Sequence, residues 1–429
     1  MKEDWIECTL GEVFDFVGGG TPSKKEPEYW NGNIPWASIK DLKSDYLYET
    51  KDFITEKGLE NSSANIALEN DIILATRINP GRPILAKTDV AINQDLKIAI
   101  PKIKSQTGYL FFLFRTLEPK ILKLSSGTTV LGINLANLKS IKFRLPPIPI
   151  QQAIVKKIEA LFSSLDSGIA DLKKAQDQLK IYRQAVLKKA FEGDWKKMEL
   201  VKVCEKATKI KRKEMPSDKP LKYIDIGGID NNLNKIVSHK DYTWENAPSR
   251  AQQIVKAGDV LFSTVRTYLK NIARIENPIY ENEIASSGFT VIRGKKDVLN
   301  SKFIFFITTA QFFLEPLNKL QRGTSYPAVR DNDVFSQKIP VPPLKEQHQI
   351  VQEIESRLSV CDAVEQNIKD SLEKAQALRQ SILKKAFEGK LLSEEEIAAC
   401  KAHPDYEPAS VLLARIERSR NERIKKKKK

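Results

Sequence analysis

The chain writes LKKAFEG twice, at residues 187–193 and 383–389, 196 positions apart. Sliding the chain by 196 extends the match backwards without a gap from Gly193 to Ser125, with about a third of the aligned positions identical. Gly127-Thr128 falls on Gly323-Thr324, Pro146-Pro147 on Pro342-Pro343, and Gln151 on Gln347. Asp166 falls on Asp362, and Arg183-Gln184 on Arg379-Gln380. Solenoid repeats have periods of roughly 20–50 residues, so this period means two copies of a whole domain with its connector. A length of 429 residues agrees with two or three domains. The two copies are expected to be related by a pseudo-twofold axis.

The front of each copy is less alike. Trp5, Leu10 and Val13 recur in spacing as Trp195, Leu200 and Val203. DIILATR (71–77) resembles DVLFSTVR (259–266) with one extra residue in the second copy, and AINQ (91–94) falls against IASS (284–287). Short β-branched runs broken by VGGGTPS, NPGRP and IGGID read as strands between turns. YLFFLFRTLEPKILKL (109–124) and FIFFITTAQFFLEPLNKL (303–320) read as short buried helices, each kinked or broken at its proline, Pro119 or Pro316.

The back of each copy changes character. After Pro146-Pro147, apolar residues recur every seven positions: Ile158, Leu165, Leu172, Leu179 and Val186, with a second line at Leu161, Gly168, Ala175 and Tyr182. The second copy repeats this with Cys361, Ile368, Ala375 and Ile382 beside Val364, Ser371 and Leu378. Such a seam makes a coiled coil. Each helix would run about 40 residues, or ~60 Å at a rise of 1.5 Å per residue. A lone helix of that kind is marginal in water, and the natural partner for each is the other copy. The expected fold is therefore α+β: two pseudo-symmetric mixed α/β domains joined by two long helices in an antiparallel coiled coil. The boundaries read 1–147 for the first domain, 148–193 for its helix, 194–343 for the second domain, 344–391 for its helix and 392–429 for a C-terminal segment. LKKAFEG is kept to the letter at both helix ends. Leu187, Lys188, Lys189, Phe191, Leu383, Lys384, Lys385 and Phe387 are accordingly expected to dock two copies of one partner.

Seventy basic against 55 acidic residues leave a net charge of +15, five of it from KKKKK at 425–429. That balance points to a polyanion, nucleic acid first. The start MKEDWIECTL lacks a basic-then-apolar leader and no run approaches the ~20 apolar residues of a membrane span, so a cytoplasmic, non-membrane protein is expected. Cys8, Cys204, Cys361 and Cys400 form no CxxC pair, and three histidines lie far apart. Phosphate-loop, HExxH and G-x-S-x-G motifs are absent. Gly18-Gly19-Gly20 lacks dinucleotide-loop spacing and reads as a turn. The Pro-Pro pairs lack the preceding polar residue of amino-methyltransferases. No catalytic or metal-binding residues are expected.

The Gly-Thr step, the Pro-Pro…Gln…Ile-Val run and the long helix ending LKKAFEG together resemble the specificity subunits of type I restriction-modification systems. GGGTPSKKEPEYWNGNIPWASIKDL (18–42) and EPASVLLARI (407–416) carry the same resemblance, which covers essentially the whole chain. It implies two target-recognition domains, each reading half of a bipartite double-stranded DNA site, with the paired helices fixing the gap. It implies two methyltransferase subunits that use S-adenosylmethionine on adenine, and restriction subunits that use ATP and Mg. No cofactor is expected in this chain. One departure stands out. The family has an acidic residue before the repeated Gln, as Glu346 precedes Gln347, but Ile150 precedes Gln151. That is expected to weaken capping of the first long helix.

Base edges specify sequence while phosphate contacts position; Arg and Lys suit guanine, and Asn and Gln suit adenine. In the first domain the candidates are Arg77, Asn79, Arg82, Lys87, Asn93 and Gln94, with Ser126, Thr128, Thr129 and Asn134 of the Gly-Thr segment. In the second they are Arg266, Tyr268, Lys270, Arg274, Ser286 and Ser287, with Arg322, Thr324, Ser325, Tyr326 and Arg330. The Gly-Thr step, common to both, suits a sequence-neutral phosphate clamp. The two sets differ, which predicts an asymmetric site. A stand-alone two-module DNA-binding protein or repressor, and a non-DNA adaptor, are the competing readings; neither explains identical helix ends as well.

Overall fold

The computed structural model describes residues 4–102 and 105–415. The polylysine run 425–429 lies outside them. Two compact units emerge: Met1–Ala170 with Leu372–Lys429, and Asp171–Ser371.

In the first unit a five-stranded sheet runs in the order Phe14–Gly18, Leu96–Pro101, Ile72–Ala75, Pro83–Ala86, Tyr46–Leu47. A four-stranded sheet runs Asp52–Ile54, Trp30–Ala37, Val90–Ile92, Asn65–Ala67. In the second unit Cys204–Glu205, Phe289–Gly294, Val260–Ser263 and Ile272–Arg274 repeat the first order. Lys240–Thr243, Pro220–Ile224, Ile284–Ser286 and Ala251–Ile254 repeat the second. Even the parallel step recurs, Trp36 beside Ala91 and Tyr223 beside Ile284. Fully buried aromatics seal each sheet against its helix: Phe14 lies 5.0 Å from Phe114, and Phe262 lies 5.8 Å from Phe313.

The prolines do not break the buried helices. Thr107–Lys123 is continuous through Pro119, and Gln311–Lys319 is continuous through Pro316. A helical proline forfeits one hydrogen bond, but buried side chains on both sides hold each helix: Phe114, Leu117 and Ile121 around Pro119, Phe313, Leu314 and Leu317 around Pro316. The break in the second copy falls at Ala310, after Ser301–Thr309. There the Thr308 and Thr309 hydroxyls donate to the carbonyls of Phe305 and Phe306 at 2.7 and 2.9 Å. Such side-chain bonds compete with continued helix.

The long helices are Ile148–Ala190 and Leu344–Phe387. Within each unit the first half of one runs antiparallel to the last half of the other. In the first unit Ile154 and Ile158 share a core with Ile382, Leu383 and Ala386. In the second, Leu187 and Phe191 share a core with Val351 and Ile354. The main seam matches the heptad line, with Ile158, Val186, Cys361, Ile368, Ala375 and Ile382 buried. The second line matches only in part: Leu161, Ala175 and Ser371 are half-buried, whereas Tyr182, Val364, Leu378 and Gly168 are exposed. Residues four after the seam are half-buried throughout the first helix: Phe162, Ile169, Gln176 and Arg183. Arg183 bonds Asp362 at 2.6 Å and Glu365 at 2.9 Å, and Arg379 bonds Asp166 while lying 4.9 Å over the Phe162 ring. These two ion pairs are what the repeated Asp166/Asp362 and Arg183/Arg379 encode.

The repeated glutamines fasten each long helix to its domain. Gln151 is fully buried; its Oε1 accepts from Ser105 Oγ (2.7 Å) and the Gln106 N–H (3.2 Å), and its Nε2 donates to the Pro146 carbonyl (2.9 Å). Gln347 accepts from the Asn300 N–H and donates to the carbonyls of Val298 and Pro342, all at 2.8 Å. The acidic residue beside it has another task. Glu346 accepts from Trp195 Nε1 at 2.8 Å. In the first unit Ile150 and Trp5, the residues at the matching positions, line one small apolar cavity instead. The Ile-for-Glu departure therefore also changes the chemistry that faces the tryptophan, and it leaves the first turn of Ile148–Ala190 without the acidic residue that Leu344–Phe387 carries.

Candidate nucleic-acid interface

In the first unit three loops are bound into one cluster. Hairpin loop 76–82 joins strands Ile72–Ala75 and Pro83–Ala86. The Thr76 N–H and hydroxyl both reach the Asp95 carbonyl at 2.9 Å, tying in loop 93–95. Ile133 N–H donates to Thr76 O at 2.9 Å and Ile78 N–H to Leu131 O at 2.8 Å, tying in the Gly-Thr segment. Thr21 Oγ1 donates to Gln94 at 2.5 Å and adds loop 19–23.

The second unit builds the same cluster. Thr264 N–H and hydroxyl reach the Gly288 carbonyl at 3.0 and 2.9 Å. Val329 N–H donates to Thr264 O (2.9 Å) and Arg266 N–H to Pro327 O (2.7 Å). Thr76 and Thr264 are thus equivalent clasps, and no extra residue intervenes between them and Asp71 or Asp259. Arg266 corresponds to Ile78, not to Arg77. Both take the left-handed backbone, with φ of +48° and +69°, a conformation that is an outlier for a β-branched residue. Neither threonine was among the expected site residues. The shared Thr in DIILATR and DVLFSTVR was the available signal, masked because a buried clasp touches no ligand.

Exposed on the first cluster are Arg77, Asn79, Gln94, Ser126, Thr128 and Thr129. Arg77 bonds Asp95 at 3.3 Å. Arg82 is half-buried, and its Nε lacks a hydrogen-bond partner among the described residues. Three candidates are structural. Asn93 is buried and bonded to Asp95 at 3.3 Å. Asn134, though exposed, caps the Leu135–Lys139 helix by accepting from Asn137 N–H at 2.7 Å. Lys87 follows the strand Pro83–Ala86, at the end of the hairpin away from the loop, where it reaches Asn70 at 3.3 Å.

On the second cluster Tyr268, Ser287, Thr324, Ser325, Tyr326 and Arg330 are exposed, while Arg266 and Lys270 are half-buried. Arg322, also exposed, bonds Asp333 at 2.6 and 3.3 Å. That hydrogen bond raises the Arg322 pKa and depresses the Asp333 carboxyl. Ser286 is buried and accepts from the Gly288 N–H at 3.1 Å. Arg274 lies beside Val260 at the far end of its hairpin, bonded to Glu276 at 3.0 Å and Ser301 at 3.2 Å. Ser286 and Arg274 are therefore internal, not surface readers. The Gly-Thr step has a backbone reason as well. Gly127 and Gly323 have φ of +137° and +96°, and a Cβ on Gly127 would meet the Val130 carbonyl at 2.1 Å. The glycines make the turn that presents the exposed tip.

The helix-end residues divide. Leu187, Phe191 and Leu383 are buried, and Phe387 packs 5.1 Å from Tyr109. Phe191 lies 5.4 Å from Phe303 and 5.6 Å from Phe312. These four close the protein's own cores, so they are not a free docking face. Lys188, Lys189, Lys384 and Lys385 stay exposed. Among the described residues no acidic, His or Cys cluster could hold a metal ion, and no helix is long and apolar enough to cross a membrane.

The family model for the type I restriction modification DNA specificity domain matches the chain twice, over residues 2–174 and 192–374. The MjaIX type I restriction enzyme specificity subunit of Methanocaldococcus jannaschii is 25% identical, over 92% of this chain and 95% of its own. The EcoR124I/EcoR124II specificity subunit of Escherichia coli is 33% identical, over 43% of this chain and 48% of its own. In fold the chain is similar to the HsdS subunit of Thermoanaerobacter tengcongensis, with a TM-score of 0.58 at 19% identity over 91% of this chain and 98% of that one. A chain from a type I R-M system solved for its assembly and conformational transition gives 0.67 at 20% identity, over 90% and 98%. With the family domain matched over both halves, the chain belongs to the specificity subunits of type I restriction-modification systems.

Proposed function

We propose that each unit reads one half of an asymmetric bipartite DNA site through its loop cluster, and that the paired long helices set the gap between the halves. The observation that carries this reading is one scaffold built twice with different side chains at its exposed corners. Thr76 and Thr264 hold matching loops, yet the exposed residues of the two clusters differ. A common backbone frame with divergent tips is what two different half-sites require. The chain is the non-catalytic recognition component. Two adenine methyltransferase subunits using S-adenosylmethionine, and restriction subunits using ATP and Mg, supply the chemistry. The exposed lysine pairs 188–189 and 384–385, alike at both helix ends, are the part of LKKAFEG left to meet those partners.

The test is to express the chain with the methyltransferase of its own system and map methylated adenines by single-molecule sequencing. A bipartite, asymmetric motif of fixed gap that vanishes without this chain is the expected result. A stable complex that methylates a symmetric or unsplit motif would overturn it.

A further inference from the structure

Resting on that reading, we infer that Arg266 and Tyr326 form one reading head that requires a guanine in the half-site of the second unit. The Arg266 guanidinium lies 4.9 Å over the Tyr326 ring, and its Nη2 donates to the Ser325 carbonyl at 3.0 Å. Its backbone is fixed in the left-handed region and bonded to Pro327 at 2.7 Å. Unlike Arg322 and Arg274, it has no carboxylate partner among the described residues; its Nε is buried without a hydrogen-bond partner, which leaves the Nη groups as its outward donors. The Tyr326 ring beneath it is 72% exposed, at the tip of the Gly-Thr segment.

Each feature favours base recognition over a solvated charge. A guanidinium has five N–H groups in a planar fork, and Ser325 takes one. With Nε buried, the Nη1 N–H groups and the second Nη2 N–H are left, and a Nη1/Nη2 pair suits the O6 and N7 acceptors on the major-groove edge of guanine. Stacking on an aromatic face holds the plane before DNA arrives, so less freedom is lost on contact. Among the described residues no acidic side chain pairs with the group or competes for it.

The first unit supplies an internal control. Ile78 stands at the corner of Arg266 and Val130 at the tip position of Tyr326, and both are exposed. Arginine and tyrosine have thus been exchanged together for two apolar residues. Neither of these two positions carries a side-chain donor, so this pair imposes no guanine on the first unit's half-site.

The test is selection of duplexes from a randomised pool by the full-length chain assembled with its methyltransferase subunits, followed by sequencing. The wild type is expected to select a G·C pair at a position of the second unit's half-site. Arg266→Lys keeps the charge but loses the planar fork, so it should flatten that position roughly ten- to hundred-fold and leave the other half-site unchanged. Tyr326→Phe should retain the preference and Tyr326→Ala should weaken it; an exposed tip residue makes both safe for folding. A motif unchanged in Arg266→Lys would overturn the inference. So would equal weakening of every sequence on Arg266→Ala with a salt slope about one smaller, the mark of a phosphate contact. If the wild type selects no sequence at all, the DNA reading itself fails, and this inference with it.

Discussion

Gln151 and Gln347 are buried amides, each bonded through both its oxygen and its nitrogen inside the protein. Replacing Gln347 with Leu strands the carbonyls of Val298 and Pro342 and the Asn300 N–H, which should cost about 1–3 kcal/mol. Urea unfolding of the full chain reads that loss; a variant as stable as wild type would show the amide to be incidental. Gln151→Leu should cost a similar amount, since its bonds match in kind. The repeat made these residues visible as identical positions. Their role was not visible, because the domain groups they hold, apart from the nearby Pro146 and Pro342 carbonyls, lie some 45 to 49 residues upstream, inside regions where the copies scarcely resemble each other. The clasping threonines were hidden for the same reason. A residue that works through a backbone carbonyl leaves no trace of its partner in the sequence.

At the scale of elements, the heptad spacing revealed the long helices but misplaced part of their second contact line. Hydrophobicity alone favoured Tyr182; the structure leaves it exposed and turns Arg183 inward instead, since an arginine can cover an apolar neighbour with its stem and pair its head with a carboxylate. Ile368 is 4% exposed on the main seam, so Ile368→Ala should cost about 2–5 kcal/mol. Arg183→Ala removes a partly exposed pair and should cost no more than about 1 kcal/mol. Comparing the two variants by denaturant unfolding separates packing from charge, and a larger loss for Arg183 would reverse this ranking. The C-terminal segment offers a pH test. Tyr406 and Lys401 hold the Asp4 carboxyl below its ordinary value, and Lys157 does the same for Glu396 in the helix Glu394–Lys401. A depressed carboxyl contributes its stability above the ordinary carboxylate range and loses it as pH falls through the folded value. Amide protection in residues 393–415, taken relative to the intrinsic exchange rate at each pH, should therefore fall on acidification before that of the sheet cores. Protection that holds until global unfolding would show that these pairs do not hold the segment.

At the scale of the whole molecule, two fronts with little sequence in common repeat the same strand orders. Strand pairing is made by backbone groups, and side chains need only alternate between core and solvent, so topology outlasts sequence identity. That is why the duplicated fold was readable in the long helices and obscure in the domains that carry specificity. Exchanging residues 1–147 for the first domain of another specificity subunit should change one half of the methylated motif and leave the other intact. The graft must keep a donor at the positions of Ser105 and Gln106, or the hook from Gln151 fails. Changes in both halves, read by methylome sequencing, would reject the modular assignment.

Part of the first unit is encoded last: residues 372–415 complete the core begun by residues 4–170. A ribosome therefore finishes the second unit while Ile150, Ile154 and Ile158 of the first still await Ile382, Leu383 and Ala386. At roughly 5–20 residues per second, that wait lasts on the order of 10–40 s. The first recognition domain is born before the second but matures after it, and throughout that interval its unsealed apolar strip is the part of the nascent chain most in need of a chaperone.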